Sequence, residues 1–600
     1  MSDWFGSHST VGCAANGLDL KMPRPARHGG EKMLEAVEAG QVSVAAVRES
    51  ARRMLRLIAC VGGFENPTLV DEQAIERPEH RALIRRAGAE GIVLLKNDGI
   101  LPLDTSALRK ISVIGPNAAV AQIMGGGSAQ VNAHYRVSPL EGITAAAGPG
   151  VEIGHETGCS NYKLLPLVKE NFIVQYYQSP DLSGEVAAQG QTAGGEVMWL
   201  DTVALGVDVQ SFSACLNARF TPDSDGDYQF GLTSAGLSRL FLNGLLVVDN
   251  WSLWTPGNSY FGAGSKEAIA TARLQAGETY DLTVEYSGQA TGDLGVKAVR
   301  VSVTKPLDDA DMERAVQLAA ASDVALLCVG LNGEWDTEGQ DRPQIDLVGR
   351  QNELIERVAA VNPKTVVVLQ TGGPVTMPWL DKVASVLQAW YPGQECGNAI
   401  ADVLFGAVNP AGRLPQTFPR CVEDNPAFVN YPGENGKVRC GEGAFVGYRY
   451  YDKKLIEVLF PFGYGLSYTT FRYDDLRLSA EHMTPDDTLR VSVDVSNTGT
   501  RAGQEVVQLY VSDPQARLER PPHELKGFAK VSLQPGQRAT VTLELGMRDL
   551  AYFDDARRTW VAEAGQYVVQ IGSSSQDIRA SAAFALNADW VEEVEKTRRP

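Results

Sequence analysis

The amino-acid sequence predicts a multidomain protein of mixed class, in which α/β domains are combined with all-β domains. Its 600 residues suffice for about three to five domains. In some stretches, short continuous apolar runs alternate with helical patterns, which is typical of a parallel sheet covered on both faces. In other stretches, apolar and polar residues alternate one by one between turn residues, which is typical of antiparallel sheets. The two patterns occupy separate parts of the chain, so they belong to different domains.

The first unit, residues 1–62, is predicted to be an α/β fragment. A candidate strand lies at 17–20, and apolar side chains recur at helical spacing from Val44 to Ile58, behind Ser43 as the N-cap. Residues 63–80 break this periodicity with glycine, proline and acidic residues. We therefore expect them to form a connector.

A parallel-sheet α/β sandwich is predicted for residues 81–165 and 305–420. Its apolar runs, the expected strands, lie at 91–95, 111–114, 324–329, 365–369 and 385–389. Between the second and third runs, residues 166–304 change to alternating patterns rich in Gly, Ser and Thr. We expect that stretch to be a β-domain inserted into the sheet domain.

A second β-domain is predicted at residues 476–590, after a connecting segment at 421–475. Apolar and polar residues alternate at 489–495 and 506–511, and turn residues follow at 497–499. This spacing of strands and turns indicates an immunoglobulin-like sandwich.

The composition excludes several classes of protein. A net charge of −19 without any Lys/Arg-rich run argues against nucleic acid as a partner. No apolar run approaches the about 18 residues that a membrane helix needs, and the first residues lack a secretory signal pattern. The eight cysteines lack Cys-x-x-Cys spacing and are expected to be free, mostly buried thiols. The seven histidines lack the spacing of metal ligands, so we predict neither a metal nor a cofactor.

Two acidic motifs are the candidate functional site. One is Asp3-Trp4, and the other is the loop 334–342, which contains Glu338 and follows directly on the run 324–329. The carboxyl ends of parallel strands face the ligand crevice of such sheets, so the loop is well placed. From the pattern alone, however, a solvated, salt-bridged loop is favoured over a catalytic one. The same holds for Asp3, and for Trp4 a core position and a contact role are about equally favoured.

Two further motifs are ambiguous. The run Gly125-Gly126-Gly127-Ser128 lacks the Gly-Lys-Ser/Thr ending of a phosphate loop, so a tight turn is favoured over nucleotide binding. Aromatic residues also gather around a Pro-Gly turn in the inserted stretch, where sugar stacking and a place in the domain core are equally favoured. These residues are Trp251, Trp254, Tyr260 and Phe261.

Short motifs also occur in a fixed order along nearly the whole chain. They are Ser2-Asp3-Trp4, Gly17-Leu18-Asp19 with Met22-Pro23, the run 125–128 with 138–140, and the stretches 338–342, 391–394, 448–451 and 461–468. In this order they resemble glycoside hydrolase family 3, and within it the β-glucosidases with a sugar-binding module inserted in the second domain. Residues 166–304 look like the protective-antigen-type module of that group. The final domain looks like its fibronectin type III-like domain.

This resemblance implies an active site shared between two domains. Asp3 corresponds to the catalytic nucleophile, Glu338 to the general acid/base, and Trp4 to part of the wall of the terminal-sugar pocket. A retaining glycosidase needs two such carboxyl groups roughly 5–5.5 Å apart. The implied activity is the release of terminal non-reducing β-D-glucosyl residues from β-glucosides or oligosaccharides.

The resemblance also implies that residues 1–62 are a remnant of a (β/α)8 barrel. A complete barrel takes about 250 residues, and the family's other sugar-binding residues lie on its earlier strands. We therefore expect an N-terminally truncated chain whose catalysis is impaired. We also expect its helix between Val44 and Ile58 to have an uncovered apolar face.

The alternative is a non-catalytic carbohydrate-binding or adhesion protein, built from the inserted module and the terminal sandwich. It ranks second because a sheet domain with the Glu338 loop would have no role in an adhesin. The sequence leaves open the sugar and linkage, the compartment, and assembly into a homo-oligomer.

Overall fold

The computed structural model describes residues 1–22, 28–68, 71–199, 203–289, 291 and 295–593. Pro23 of the Met22-Pro23 motif lies outside them. The chain divides into two compact units, the smaller comprising Met1–Glu76, Gly546–Ala564 and Leu586–Pro600, the larger Arg77–Leu545 and Gly565–Ala585. None of the helices in the described ranges is long and apolar enough to cross a membrane.

Among the residues that the structure describes, the N-terminal part of the smaller unit contains three helices. They are α1 (Val11–Ala15), α2 (Glu31–Glu38) and α3 (Val44–Cys60). The predicted cap is confirmed, because the Ser43 side chain accepts a hydrogen bond from the Ala46 N–H at 3.1 Å. No residue of α3 is buried, and Leu55 and Leu57 are more than half exposed.

The prediction of a strand at 17–20 was wrong. Gly17 has a left-handed φ of 79° in the turn after α1, which ends the helix rather than starting a strand. Instead, a single parallel bridge joins Trp4 to Met22, and the Ser2 N–H donates to the Leu20 carbonyl at 2.8 Å. The Arg53 side chain on α3 forms an ion pair with Asp19 beside this bridge.

The larger unit begins with a six-stranded sheet flanked by helices. Its elements are α4 (Pro78–Gly91), β1 (Val93–Asn97), β2 (Lys110–Ile114), α5 (Pro139–Ala147), β3 (Glu152–Glu156), α6 (Asp309–Ala320), β14 (Val324–Gly330), α7 (Gln351–Val361), β15 (Thr365–Gln370), β16 (Ser385–Gln388) and α8 (Cys396–Leu404). The strand order is β1-β16-β15-β14-β2-β3. All neighbouring strands are parallel except β1, which is antiparallel to β16.

The core of this sheet lies on both of its faces. Leu327 on β14 packs in one apolar cluster with residues of α6 and α7, and Leu326 in a second cluster with residues of α5 and α8. Successive side chains of a strand point to opposite faces, so a strand covered on both sides needs a continuous apolar run. The five predicted strands are confirmed on this basis, although the first is the antiparallel edge.

In the described ranges, ten antiparallel strands lie between β3 and α6 in the chain. They are β4 (Phe172–Tyr177), β5 (Ala188–Thr192), β6 (Glu196–Trp199), β7 (Ser213–Phe220), β8 (Gly226–Ala235), β9 (Leu237–Leu242), β10 (Leu245–Asn250), β11 (Ala268–Leu274), β12 (Tyr280–Ser287) and β13 (Lys297–Thr304). They form two sheets, β10-β9-β12-β7-β4-β5 and β11-β8-β13-β6. Buried Phe172, Phe230 and Val299 belong to one cluster between them.

In the last part of the chain, the short helix α9 (Tyr448–Lys454) precedes the strands. The elements that follow are β17 (Phe471–Leu478), β18 (His482–Met483), β19 (Leu489–Asn497), β20 (Gly503–Ser512), β21 (Glu524–Leu533), β22 (Arg538–Leu545), α10 (Met547–Leu550), β23 (Tyr552–Asp554), β24 (Thr559–Ala562), β25 (Gly565–Ser574), β26 (Asp577–Leu586) and β27 (Trp590–Glu593). In the larger unit, β17-β19-β22 and β18-β26-β25-β20-β21 form two sheets. In the smaller unit, β23-β24-β27 form a third. The strands predicted at 489–495 and 506–511 lie within β19 and β20.

Asp494 on β19 provides a test of charge pairing in this region. Its carboxylate accepts hydrogen bonds from Arg477 at 2.9 Å, from Thr540 and from Arg538, and these contacts lower its pKa, with Arg477 contributing most. A pKa lowered by folding adds stability that is present above the unfolded value of about 3.9 and is lost as the pH falls below it.

We expect Asp494→Asn to lower the melting temperature at pH 7, and the difference from the wild type to shrink below about pH 4. The control is Asp486→Asn, at an exposed position on the neighbouring turn. Melting curves from pH 7 down to pH 3 test this expectation. A constant difference at every pH would contradict it.

Candidate active site

The loop after β14 lines an open cavity at the carboxyl edge of the sheet. Glu338 belongs to this lining, and the cavity volume is about 750 Å³. The lining consists of Gly125, Gly126, Ser128, Ala129, residues 335–338, residues 340–342 and Gly372. The predicted position of the loop, where a central parallel strand ends, is thus confirmed.

The glycine run packs directly against this loop. The Gly126 N–H donates to the Asp336 carbonyl at 2.9 Å, and a Cβ on Gly126 would lie 1.9 Å from the Gly333 carbonyl oxygen. A Cβ on Gly127 would lie 2.6 Å from the Glu338 Cβ, and Gly127 has a left-handed φ of 70°. Only glycine fits such an approach and such a backbone without displacing the loop.

Ser128 holds the carboxylate of Glu338. Its backbone N–H donates to Glu338 Oε2 at 3.0 Å, and its hydroxyl donates to the same oxygen. Among the described residues, none donates a hydrogen bond to Oε1. One carboxylate oxygen is therefore fixed by the protein, and the other is left for a ligand.

Two ends of the loop are tied to the inserted β-strands and to the segment leading into them. Glu334 Oε1 accepts from Arg300 on β13 at 2.7 Å, and Glu334 Oε2 accepts from the Lys163 N–H at 3.2 Å. The Gln340 side chain donates to the Asn258 carbonyl at 3.2 Å. The inserted strands therefore contribute to the placement of the Glu338 loop.

Asp3 and Trp4 lie in the smaller unit. The Trp4 N–H donates to Asp3 Oδ1 at 2.7 Å. The Trp4 side chain is 64% exposed and meets the Phe5 ring edge-on, so it does not occupy a core position within the smaller unit. Glu338 lies in the larger unit, and a shared cavity for Asp3 and Glu338 stays a prediction.

The four aromatic residues around the Pro-Gly turn, for which sugar stacking and a place in the domain core were equally favoured, differ in their contacts and exposure. Trp251 lies under the Arg239 guanidinium at 4.9 Å, and Trp254 donates to the Ser234 carbonyl. Tyr260 donates to Glu196 at 2.8 Å, whereas Phe261 is 62% exposed. Three of the four side chains thus have structural partners, and only Phe261 has the exposure that a stacking surface needs.

Cysteines and metal ligands add nothing to the cavity. All eight thiols are free as predicted, but the expectation that most are buried was wrong, since only Cys159, Cys328 and Cys396 are. Cys60 lies on the exposed helix α3, and Cys440 lies in an exposed loop. Within the described ranges, no group of three His, Cys, Asp or Glu side chains is arranged to hold a metal ion.

Comparison with known proteins decides the family. The sequence profile of the glycosyl hydrolase family 3 C-terminal domain matches residues 92–468. A β-glucosidase of Rhizobium radiobacter is 50% identical over 599 residues, which cover 99% of this chain and 73% of that protein. The chain belongs to glycosyl hydrolase family 3.

Solved structures of family 3 agree with this assignment. A β-glucosidase of Kluyveromyces marxianus in complex with glucose has a TM-score of 0.89 and 38% identity, over 99% of this chain and 73% of that one. A β-glucosidase of Streptomyces venezuelae in complex with D-glucose has a TM-score of 0.69 and 32% identity, over 98% and 71% of the two chains. A fibronectin type III-like profile matches residues 505–575. The resemblance to a family 3 β-glucosidase with this last domain is confirmed, and the chain is a glycoside hydrolase rather than an adhesin.

The contacts of Ser128, Asp336 and Tyr391 were missed as functional features. The sequence showed the glycine run and the Tyr391-Pro392-Gly393-Gln394 motif, but neither pattern names its partner. Ser128 donates to Glu338, which is 210 residues away, and the Tyr391 hydroxyl donates to the Asp336 carboxylate, which is 55 residues away. The available signal was that the segments carrying them all follow strands of the same sheet.

Gly127 gives a direct test of this packing. We expect Gly127→Ala to lower glycosidase turnover by about 10- to 100-fold, because the new methyl group displaces Glu338 and a 1 Å misplacement can cost about 100-fold. The matched control is Gly148→Ala, where φ is 76° and nothing lies within 4 Å of the added Cβ. Both variants place an alanine at a positive φ, so equal losses of turnover would show that backbone strain, and not contact with Glu338, is responsible.

Proposed function

We propose that this glycoside hydrolase is a retaining, exo-acting β-glucosidase that releases terminal non-reducing β-D-glucosyl residues. The observation that carries the proposal is Glu338, which lines the cavity with one carboxylate oxygen bonded to Ser128. The β-glucosidase names of its relatives, at up to 50% identity in those compared, support the substrate class.

The proposed reaction has two steps with Asp3 and Glu338 in complementary roles. Asp3 attacks the anomeric carbon, and Glu338 donates its proton to the departing glycosidic oxygen. A glucosyl ester on Asp3 results. Glu338, now a carboxylate, takes a proton from water, which attacks the anomeric carbon and frees Asp3. Two displacements at one carbon retain the β configuration.

Trp4 is proposed as part of the wall of the glucose pocket. Its large exposure in the smaller unit supports a contact role, because a core tryptophan would be covered by its own unit. An indole face also packs well against the C–H groups of a pyranose ring, which are its apolar surface.

The finer domain assignment is also part of this proposal. We infer that residues 1–62 represent the end of a (β/α)8 barrel and that 166–304 form a protective-antigen-type module. The parallel bridge between Trp4 and Met22 supports the first inference, and the two antiparallel sheets between β3 and α6 support the second.

The anomer of the first product tests the proposal. With enough enzyme that hydrolysis is faster than mutarotation, we expect proton NMR of an aryl β-glucoside digested by residues 1–600 to show β-glucose first. Initial release of α-glucose would contradict the retaining mechanism. No Glu338-dependent release of glucose from any β-glucoside would contradict the proposed function.

A further inference from the structure

The carboxylate of Asp336, two residues before Glu338, is held by two short hydrogen bonds. Asp336 Oδ2 accepts from the Tyr391 hydroxyl at 2.6 Å and from the Gly372 N–H at 2.7 Å. The Arg342 Nε lies 3.8 Å from Asp336 Oδ1, and both side chains are only 17% exposed. Hydrogen bonds to an ionised acceptor in such a setting are stronger than those between neutral groups.

These contacts join the ends of three adjacent strands. Asp336 lies on the segment after β14, Gly372 on the segment after β15, and Tyr391 on the segment after β16. The three strands are neighbours and parallel, so these segments leave the sheet at one edge. Asp336 is the side chain to which the two other segments bind.

The backbone of Asp336 is fixed as well as its side chain. Its N–H donates to the Asn332 carbonyl at 3.0 Å, and its carbonyl accepts from the Gly126 N–H at 2.9 Å. Ser128, two residues after Gly126, donates to Glu338. Asp336 and Glu338 are therefore both held by the glycine segment, on opposite sides of Thr337.

Tyr391 is suited to a permanent donor role. Burial, and then the nearby Asp336 carboxylate, raise the pKa of Tyr391, so its hydroxyl keeps its proton at neutral pH. The preceding residue, Trp390, has a φ of 56°, which is unusual for a bulky residue, and its indole N–H donates to the Gly91 carbonyl at 3.1 Å. Strained residues of this kind persist where the surroundings hold them, often beside functional sites.

We propose that Asp336 is a positioning residue for Glu338, and that Tyr391 is the donor that keeps Asp336 in place. The inference rests on the proposed function, in which Glu338 protonates the leaving group. Loss of the Tyr391–Asp336 hydrogen bond would let the loop move, and proton donation by Glu338 would weaken while attack by the nucleophile would not.

Tyr391→Phe is the test variant, and Tyr473→Phe is its matched control. The Tyr473 hydroxyl also donates to a carboxylate, Glu505 Oε1, at 2.9 Å, and burial followed by that carboxylate raises the pKa of Tyr473. Tyr473 lies on β17, outside the sheet domain that carries the cavity. Both substitutions remove one tyrosine hydroxyl that donates a hydrogen bond to a carboxylate. A second variant, Asp336→Asn, is measured alongside, so that misfolding of Tyr391→Phe does not prevent the test.

The first readout is hydrogen exchange without substrate, measured by mass spectrometry on residues 1–600. We expect Tyr391→Phe to raise amide exchange in peptides covering 124–130 and 333–342. The first segment contains the hydrogen-bonded N–H groups of Gly126 and Ser128, and the second contains that of Asp336. Tyr473→Phe should leave exchange in both segments unchanged.

The second readout is the dependence of kcat/KM on the leaving group. Poor leaving groups need a proton from Glu338 and good ones do not. Tyr391→Phe should therefore lower the kcat/KM for substrates with poor leaving groups, relative to that for substrates with good ones, by about 10- to 100-fold. Faster exchange with an unchanged ratio would show that Asp336 only stabilises the fold, and would overturn the proposal. Unchanged exchange in Tyr391→Phe and Asp336→Asn would also overturn it.

The two proposals fail in different ways. If the wild-type chain shows no Glu338-dependent hydrolysis of any β-glucoside, the proposed function fails. The exchange experiment needs no substrate, and it then decides alone whether Asp336 and Tyr391 hold the loop.

Discussion

Asp3→Asn should lower kcat on aryl β-glucosides by at least about 1000-fold, the scale on which loss of a covalent nucleophile acts in other hydrolases. The amide keeps the size and shape of the carboxylate but cannot form the glucosyl ester, so both displacements of the proposed reaction are lost. The loss should be as large for good leaving groups as for poor ones, because attack on the anomeric carbon precedes every product. The matched control is Asp71→Asn, at an exposed aspartate of the smaller unit.

Covalent trapping tests the same role without depending on fast turnover. A β-glucoside with fluorine in place of its second hydroxyl and a good leaving group should form a glucosyl ester that hydrolyses slowly. We expect mass spectrometry of digested protein to find this label on Asp3 of the wild type and nowhere on Asp3→Asn. A label on another carboxylate would show that the nucleophile is misassigned. Retention of more than about a tenth of kcat in Asp3→Asn would exclude a covalent role for Asp3.

The sheet domain was predictable from the sequence because burial on both faces leaves an unambiguous pattern. β14 and β15 are continuous apolar runs without exposed positions, and both were found. β3 was missed, since it is an edge strand that begins and ends on the charged residues Glu152 and Glu156 and has only Ile153 as an apolar signal. The antiparallel pairing of β1 was missed for another reason. Direction is set by the path of the connecting chain and is not encoded in the composition of the strand.

The candidate site was predictable only in part. Glu338 and Asp3 were predicted as site residues through the order of family motifs, whereas charge pattern alone favoured a solvated loop, and their catalytic roles stay a prediction. The contact that fixes the Glu338 carboxylate comes from a distant position, Ser128, and depends on close approach between loops after different strands. Such approaches follow from tertiary packing. A glycine run indicates that a Cβ is not tolerated, but it does not indicate which atom the Cβ would meet. At Gly127 that atom belongs to Glu338 itself.

Glu338→Ala should lower kcat/KM on alkyl β-glucosides by about 100- to 10,000-fold, the usual contribution of general acid catalysis. With dinitrophenyl β-glucoside, the rate of the first step should instead fall only slightly, because this leaving group departs without a proton. Its hydrolysis should then stop at the glucosyl ester on Asp3, since no base activates water. A burst of dinitrophenol close to the enzyme concentration, followed by slow turnover, is the expected time course. Glu185→Ala, at an exposed position between β4 and β5, is the control and should show no burst.

Azide distinguishes a lost acid/base from a lost fold. It attacks the glucosyl ester without help from a base and fits the space left by the Glu338 side chain, which opens on the cavity. We therefore expect azide to accelerate the slow phase of Glu338→Ala and to yield β-glucosyl azide, whose configuration records the second displacement. Azide should leave Asp3→Asn unchanged, because that variant forms no ester to be rescued. An α-glucosyl azide would show that azide replaces the nucleophile instead. Glu338 and Asp3 would then have exchanged roles, and Ser128 would be holding the carboxylate that attacks the sugar.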